Sequence, residues 1–285
     1  MISDTHLPCE GSAVFSRPEV RDCVRATGKW VLTSSVLGSS LTFIDGTVVN
    51  VVLPVLQREL GASVAQVQWI VEAYTLMLAA LILVGGALGD RLGRKRVFLA
   101  GVGVFALAST WCGLTGNTSQ LIVARGVQGV GAALLVPGSL ALISANFSRE
   151  KRGLAFGTWS GLTSVAAGIG PVLGGWLVDS FSWRWIFFIN VPLAAAVLLI
   201  TWRHVPESRD EKQKGRLDWA GAALVTFGLG SLVFGLIESN SRSMADHLVT
   251  TSLVAGLAGL AGFIFAETRA QSPMIPFGPV SRKTA

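Results

Sequence analysis

The sequence predicts an all-α membrane protein, on three observations. Hydrophobic residues make up 51% of the 285 positions and charged residues only 14%, whereas a soluble domain carries about 25% charged residues. The apolar stretches between the charged residues approach the roughly 20 residues that a helix needs to cross about 30 Å of hydrocarbon. Their apolarity is continuous and does not alternate, which excludes a membrane β-barrel.

These stretches predict eight transmembrane spans, at residues 31–54, 66–89, 97–115, 121–145, 154–178, 185–202, 218–237 and 248–266. The hydrophilic linker 204–217 separates a six-span block, 31–203, from a pair of further spans, 218–266. Residues 1–30 form a predicted N-terminal tail without the apolar core of a signal peptide. A polar C-terminal segment, 267–285, follows the last span and ends without a closing element, as if the chain were truncated.

The positive charges set the predicted orientation. With a cytoplasmic N-terminus, 19 of the 23 lysine and arginine residues fall in cytoplasmic segments, while the outside loops hold Arg58, Arg184 and Arg242. Cytoplasmic loops of membrane proteins retain such an excess. The bases form no continuous basic face, so the net charge of +6 does not indicate nucleic acid. We therefore expect a multi-pass protein of the cell (plasma) membrane whose tail and linker are cytoplasmic.

Three ionisable residues lie inside the predicted spans, namely Asp45, Glu72 and Arg125. Each such group costs about 2.5–3.5 kcal/mol to insert, so all three are candidates for function. At 1.5 Å per residue they lie in the outer part of the bilayer, where they could face one cavity. Burial favours the protonated form of a carboxyl group and a nearby guanidinium favours the carboxylate, so the set could load and release a proton.

Each of the three residues also has a structural interpretation. Asp45 could cap a helix or form a hydrogen bond between helices, and Glu72, next to Trp69, could lie solvated at the headgroup interface. Arg125 could clamp the backbone carbonyls of a neighbouring helix, with or without a role in proton coupling. The sequence leaves these alternatives open.

Substrate contacts are predicted from Gln128, which shares a helical face with Arg125, and from Tyr74, whose ring could stack on a flat or cationic compound. The alternative for the aromatic residues is an ordinary position at the membrane interface.

The three cysteines, Cys9, Cys23 and Cys112, form no CxxC pair and have no histidine at metal-ligand spacing, so we predict no metal. The cytoplasmic loops contain no Ser/His/Asp set or histidine–acid pair, which argues against an enzyme.

Four motifs mark the predicted spans. They are Gly-x-Leu-x-Asp-Arg-x-Gly-Arg-Lys at 86–95, Arg-x-x-Gln-Gly-x-Gly-Ala-Ala at 125–133, Gly-Pro-x-x-Gly-Gly at 170–175 and Asp-x-Thr-Val-Val-Asn-Val-x-Leu-Pro at 45–54. In these motifs the chain resembles the major facilitator superfamily, and specifically its fourteen-span drug:proton antiporter branch, over residues 31 to about 270. Two positions depart from the family pattern: Val52 stands where the span 1 motif has alanine, and Ala166 where a glycine precedes the span 5 motif.

The resemblance implies a six-helix bundle plus two linking transmembrane helices, and a role for each motif. The residues of the implied cytoplasmic gate are Gly86, Asp90, Arg91, Gly93 and Arg94. The residues of the implied antiporter hinge are Gly170, Pro171, Gly174 and Gly175. Asp45 and Arg125 would take part in proton coupling. Glu72 has no counterpart in the motifs, so its role in proton coupling is predicted from its depth in the membrane alone.

The function that the resemblance implies is export of small hydrophobic or cationic drug-like compounds, driven by the proton gradient and without a cofactor. Proteins of this branch continue with six further spans after the linking pair, and their substrate cavity lies between the two halves. The C-terminal half is therefore an expected partner of this chain. The alternative is a truncated, non-transporting membrane fragment that at most associates with other membrane helices.

Overall fold

The fold is built from helices, as the apolar stretches predict. The computed structural model describes residues 18–209, 219–239, 242 and 246–269, and these contain no β-strand. The helices are α1 (Pro18–Leu60), α2 (Val64–Leu92), α3 (Arg94–Leu114), α4 (Thr118–Asn146), α5 (Arg149–Ser180), α6 (Trp185–Phe188), α7 (Asn190–His204), α8 (Trp219–Ser239) and α9 (His247–Arg269). The predicted all-α membrane fold is confirmed.

Seven helices of the described part are long and apolar enough to cross a membrane. They match seven of the predicted spans, and α6 and α7 together form the sixth, Trp185–His204. The remaining predicted span, 218–237, corresponds to α8, in which the segment Ala223–Ser239 is apolar but shorter.

The predicted tail and linker differ in part from what the structure describes. Helix α1 begins at Pro18, so residues 18–30 of the predicted tail continue the first helix. Residues 210–217, most of the linker, lie outside the described residues, as do both chain ends. The described part of the linker, 205–209, has no regular secondary structure and follows α7 directly.

Short polar turns separate the first helices. Gly61 adopts a φ of 59°, which glycine reaches without steric cost, and lets α1 end. Helix α2 then begins with a capping box, in which the Gln66 amide donates to the Ser63 hydroxyl and the Ser63 amide donates to the Gln66 side chain. Helix α4 begins with a side-chain cap, in which the backbone amide of Gln120 donates to Asn117 Oδ1 at 2.9 Å.

Helix α4 is the central helix, and glycines bring its neighbours close. A Cβ atom on Gly129 would lie 2.4 Å from the Tyr74 carbonyl oxygen of α2, and one on Gly131 would lie 2.6 Å from the Phe105 nitrogen of α3. Both positions belong to the span 4 motif. Small residues let transmembrane helices approach to backbone contact, so this motif fixes how α2 and α3 pack against α4.

The core consists of two apolar layers. One contains Val31, Leu41, Phe98, Val102, Phe105, Leu135, Leu142, Ala194 and Val197. The other contains Val48, Val52, Leu56, Ile70, Leu121, Ala124, Trp183, Ile186 and Phe187. In α1 the two layers meet between Leu41 and Val48, and in α4 they meet between Ala124 and Ala132. Polar side chains occupy this level, as described below.

The two helices after the linker, α8 and α9, form a pair that packs against α2. Glycines let α8 and α9 approach, since a Cβ atom on Gly256 would lie 2.8 Å from the Leu232 nitrogen. The Trp69 and Phe234 rings, from α2 and α8, lie 6.0 Å apart. The pair therefore covers one side of the six-span block.

Candidate functional site

A charged pair lies at the centre of the six-span block. Arg125 of α4 donates from its Nη1 atom to Oδ2 of Asp45 in α1. The two side chains are 1% and 0% exposed, so the pair is sealed between the apolar layers. The sequence predicted both residues, and the structure brings them into direct contact.

Arg125 also fastens α4 to α2. Its Nε atom donates to the Ile70 carbonyl oxygen at 3.1 Å, and its guanidinium carbon lies 4.3 Å from the centre of the Tyr74 ring. The Tyr74 hydroxyl in turn donates to the Thr42 carbonyl oxygen of α1 at 3.2 Å. The clamp on a backbone carbonyl that the sequence left as an alternative is therefore present, together with the ion pair.

Two amide side chains hold the other oxygen of the Asp45 carboxylate. Gln128 Nε2 donates to Oδ1 at 2.8 Å, and Asn190 Nδ2 donates to the same atom at 3.0 Å. Gln128 Oε1 also accepts from Arg125 Nη1 at 2.8 Å. A buried charge persists in a low-dielectric interior only when it is paired and hydrogen-bonded, and this carboxylate meets that condition on both oxygens.

A hydroxyl group of α3 completes the arrangement. Ser109 Oγ accepts from Asn190 at 2.9 Å and from Gln128 at 3.3 Å, and donates to the Phe187 carbonyl oxygen at 3.0 Å. We call the five side chains Asp45, Ser109, Arg125, Gln128 and Asn190 the ionic cluster. Its members come from α1, α3, α4 and α7, and Arg125 reaches α2, so every span of the block except α5 contributes.

Ser109 and Asn190 did not emerge from the sequence. Charge is what makes a residue conspicuous inside an apolar span, and both of these residues are neutral. Asn190 carried a usable signal, because a lone amide inside the apolar run of span 6 requires a hydrogen-bond partner. Ser109 carried none, since serine is common in membrane helices and bonds its own backbone as readily as a neighbour.

The structure leaves Glu72 outside the ionic cluster. Its side chain is half-buried, and within the described residues it has no hydrogen bond or ion pair with Asp45 or Arg125. Gln128 and Tyr74 lie within the packed centre, at 0% and 5% exposure. Their roles in substrate binding, like the role of Glu72 in proton coupling, stay predictions.

The predicted gate residues lie where α2 ends and α3 begins. Gly93 joins the two helices with a φ of 110°, a conformation that other residues adopt only under strain. Asp90 of α2 pairs across this turn with Arg94 of α3, at 2.8 Å. Gly86 lies one turn earlier, where an added Cβ atom would touch Pro137 of α4 at 3.8 Å. Arg91 is half-buried beside them.

Two of the three predicted hinge glycines pack against α1, and the third does not. A Cβ atom on Gly170 would lie 2.1 Å from Thr47 Oγ1, and one on Gly174 would lie 2.5 Å from the Val48 side chain, so both are contacts of α5 with α1. Gly175 has nothing within 4 Å of an added Cβ. Pro171 lies inside α5, which continues as one helix from Arg149 to Ser180. Bending at this site stays a prediction.

Among the described residues, no group of three histidine, cysteine or acidic side chains is arranged to hold a metal ion. Cys112 is a free, buried thiol whose sulfur lies 3.7 Å from Gln128 Oε1. The ionic cluster contains the buried ion pair of Asp45 and Arg125. Ionisable groups inside membrane spans are costly and mark candidate functional sites, so the ionic cluster is the candidate functional site of this membrane protein.

The comparisons identify the family. The chain belongs to the Major Facilitator Superfamily, whose family model matches residues 35–283. The resemblance seen in the four motifs is thus confirmed.

The curated relatives include resistance proteins. The chain is 38% identical over 255 residues to the puromycin resistance protein pur8 of Streptomyces alboniger, covering 89% of this chain and 50% of that protein. It is 36% identical over 258 residues to the methylenomycin A resistance protein of Bacillus subtilis, covering 90% of this chain and 55% of that protein. The tetracenomycin C resistance and export protein of Streptomyces glaucescens is 36% identical over 245 residues, covering 86% of this chain and 46% of that protein. The chain spans about half the length of these relatives.

Solved transporter structures share the fold at low sequence identity. Tetrameric PepTSo2 superposes with a TM-score of 0.62 at 16% identity, over 86% of this chain and 55% of that one. The human organic anion transporter MFSD10 gives 0.56 at 17% identity, over 83% of this chain and 70% of that one. The predicted six-helix transporter bundle with linking helices is confirmed at the level of the fold.

Proposed function

We propose that this chain acts as the N-terminal half of a proton-coupled antiporter that exports small hydrophobic or cationic drug-like compounds from the cell. The observation that carries the proposal is the burial of the Asp45–Arg125 pair at the meeting point of the spans. The names of the relatives, which are resistance and export proteins, support the substrate class. The proposal places the chain in the plasma membrane with its N-terminus in the cytoplasm, and it involves no covalent catalysis.

Proton coupling would follow from the bonding of Asp45. The carboxylate is held by the guanidinium of Arg125 and by the amide groups of Gln128 and Asn190. A proton on Asp45 removes the charge that attracts Arg125, which weakens the tie between α1 and α4. Loss of the proton restores the tie. Two such states, each favouring a different arrangement of the helices, are what alternating access requires.

The test is dye export driven by a pH gradient in membrane vesicles that contain the complete transporter. Asp45→Asn keeps the size of the side chain and removes the titratable group. We expect it to abolish gradient-driven export while dye exchange without a gradient persists. The matched control is Glu150→Gln, which neutralises an exposed carboxylate in the first turn of α5. Unchanged gradient-driven export in Asp45→Asn would exclude Asp45 from the coupling.

The second candidate is a membrane protein that does not transport by itself. The observation that favours it is the coverage of about half of each resistance protein by this chain. The gene sequence beyond codon 285 separates the candidates, because six further spans in frame would supply the second half. Proteoliposomes that contain the 285-residue chain alone give the direct measurement. Dye movement in them would exclude the second candidate.

A further inference from the structure

The structure assigns a positioning role to Glu207: its carboxylate caps the start of α3 and holds the turn that carries the predicted gate. Glu207 lies in the linker after α7, more than 100 residues from the gate motif in sequence. The capping role is a property of the fold, whereas its consequence for a gate in transport rests on the proposed function.

Helix α3 lacks a cap of its own. The first amides of a helix have no partner inside it and need an acceptor from elsewhere. Gly93, at the cap position of α3, has no side chain that could accept. The Arg94 amide instead donates to the Ser208 carbonyl oxygen at 2.8 Å, and the Lys95 amide donates to Glu207 Oε1 at 3.0 Å.

The Glu207 carboxylate is itself held in place. The Ser208 amide donates to the same Oε1 atom at 3.0 Å. A Cβ atom on Gly93 would lie 2.7 Å from the Glu207 carboxyl carbon, so the carboxylate rests directly on the turn. A negative charge at this point also interacts favourably with the positive end of the helix dipole.

A second contact ties α3 to the end of α7. Lys95 Nζ donates to the Trp202 carbonyl oxygen at 2.8 Å. A cation at the last carbonyls of a helix is favourable for the same reason as an anion at its start. The linker and the last turn of α7 therefore hold both the backbone and the side chain of Lys95, next to the Asp90–Arg94 pair.

The cap, and not an ion pair, is the main contribution of Glu207. Its ion pair with Arg96 is long and exposed, because the Arg96 Nε atom lies 3.6 Å from Oε2 and the Arg96 side chain is 80% exposed. Exposed pairs of this kind contribute little to stability. An amide bonded to a carboxylate contributes more, because a charged acceptor strengthens the hydrogen bond.

Hydrogen exchange of the full chain in detergent tests the cap without requiring transport. In Glu207→Ala we expect the Lys95 amide to exchange about tenfold faster, since its charge-assisted hydrogen bond is lost, while the Arg94 amide keeps its acceptor, the Ser208 carbonyl oxygen. Glu207→Gln keeps an acceptor oxygen and should retain most of the protection. Arg96→Ala, which removes only the exposed partner, is the matched control and should leave these amides protected.

Two results would overturn the assignment: unchanged exchange in Glu207→Ala, or an equal increase in Arg96→Ala. If Glu207→Ala also speeds exchange in α4, the folded state itself is affected, and Glu207→Gln decides. Retained protection of the Lys95 amide in that variant supports the cap, and lost protection overturns it.

The consequence for transport is measured separately on the complete transporter. Glu207→Ala should lower the maximal rate of dye export without changing KM, because the residue contacts the gate turn and not the substrate. A change in KM alone would overturn the positioning role in transport. Failure of all export in the unmodified protein would contradict the proposed function and leave the exchange result standing.

Discussion

Arg125 and Asp45 are 80 residues apart in sequence, yet the guanidinium of one bonds the carboxylate of the other in the centre of the bundle. The pair joins α1 to α4, and the bond from Arg125 to the Ile70 carbonyl adds α2. A stabilising contact between three spans thus coincides with the group that we propose to carry the proton. Stability depends on the pairing of the two opposite charges, whereas the proposed coupling depends on the proton that Asp45 binds. The two can therefore be separated experimentally.

The first prediction concerns the cost of an unpaired buried charge. Arg125→Met leaves the Asp45 carboxylate without its guanidinium and should lower the free energy of unfolding by about 3–5 kcal/mol. Arg125→Met combined with Asp45→Leu removes both charges and should cost less than the single change. Denaturant unfolding in detergent gives both values. A double variant that is less stable than Arg125→Met would show that the amide and backbone bonds dominate.

The second prediction concerns the contact between α5 and α1. Gly170→Ala places a methyl group against Thr47, whose hydroxyl also donates to the Ala167 carbonyl oxygen at 3.0 Å. We expect a loss of about 1–3 kcal/mol from overpacking. Gly161→Ala, where an added Cβ meets nothing within 4 Å, is the matched control and should stabilise α5 by about 0.5–1 kcal/mol through helix propensity. Thermal unfolding of the two variants checks this, and equal effects would exclude close packing at Gly170.

The third prediction uses the two glycines with positive φ. Gly61→Ala meets open space, so its cost is the backbone strain alone, about 1–2 kcal/mol. Gly93→Ala adds a collision with the Glu207 carboxylate to the strain at φ 110°, and should be the more damaging change. Unfolding midpoints of both variants test the order. A reversed order would mean that the linker moves aside without loss.

The fourth prediction concerns the opposite end of the bundle. Trp183 is fully buried and donates from Nε1 to Glu59 Oε2 at 2.9 Å, which ties the α5–α6 turn to α1. Trp183→Ala should cost about 3–5 kcal/mol, and Trp183→Phe about 1 kcal/mol for the hydrogen bond. Trp202→Ala, at a side chain that is 68% exposed, is the control. Similar unfolding midpoints for Trp183→Ala and Trp202→Ala would contradict the prediction.

The sequence alone determined the family and seven of the membrane spans, while the helix at the remaining predicted span, α8, has a shorter apolar segment. Hydrocarbon cannot hydrogen-bond a backbone, so each crossing requires a long apolar helix, and this requirement is visible in composition alone. Within the span 4 motif, Gly129 and Gly131 let α2 and α3 approach α4 to backbone contact. Asp45 and Arg125 were found for a related reason, because charge inside an apolar run is costly and therefore conspicuous.

The tertiary structure decided which side chains meet. Helical spacing gives the face that a residue occupies but not the neighbouring helix, so Asn190 and Ser109 joined the ionic cluster only in three dimensions. Glu72, at a similar predicted depth, stayed outside it. Glu207 lies in a polar linker where acids are ordinary, and its contact with the start of α3 arises because the end of α7 packs beside the gate turn. The depth of a residue in the membrane is thus encoded in the local sequence, whereas the side chains that it contacts depend on how the helices pack.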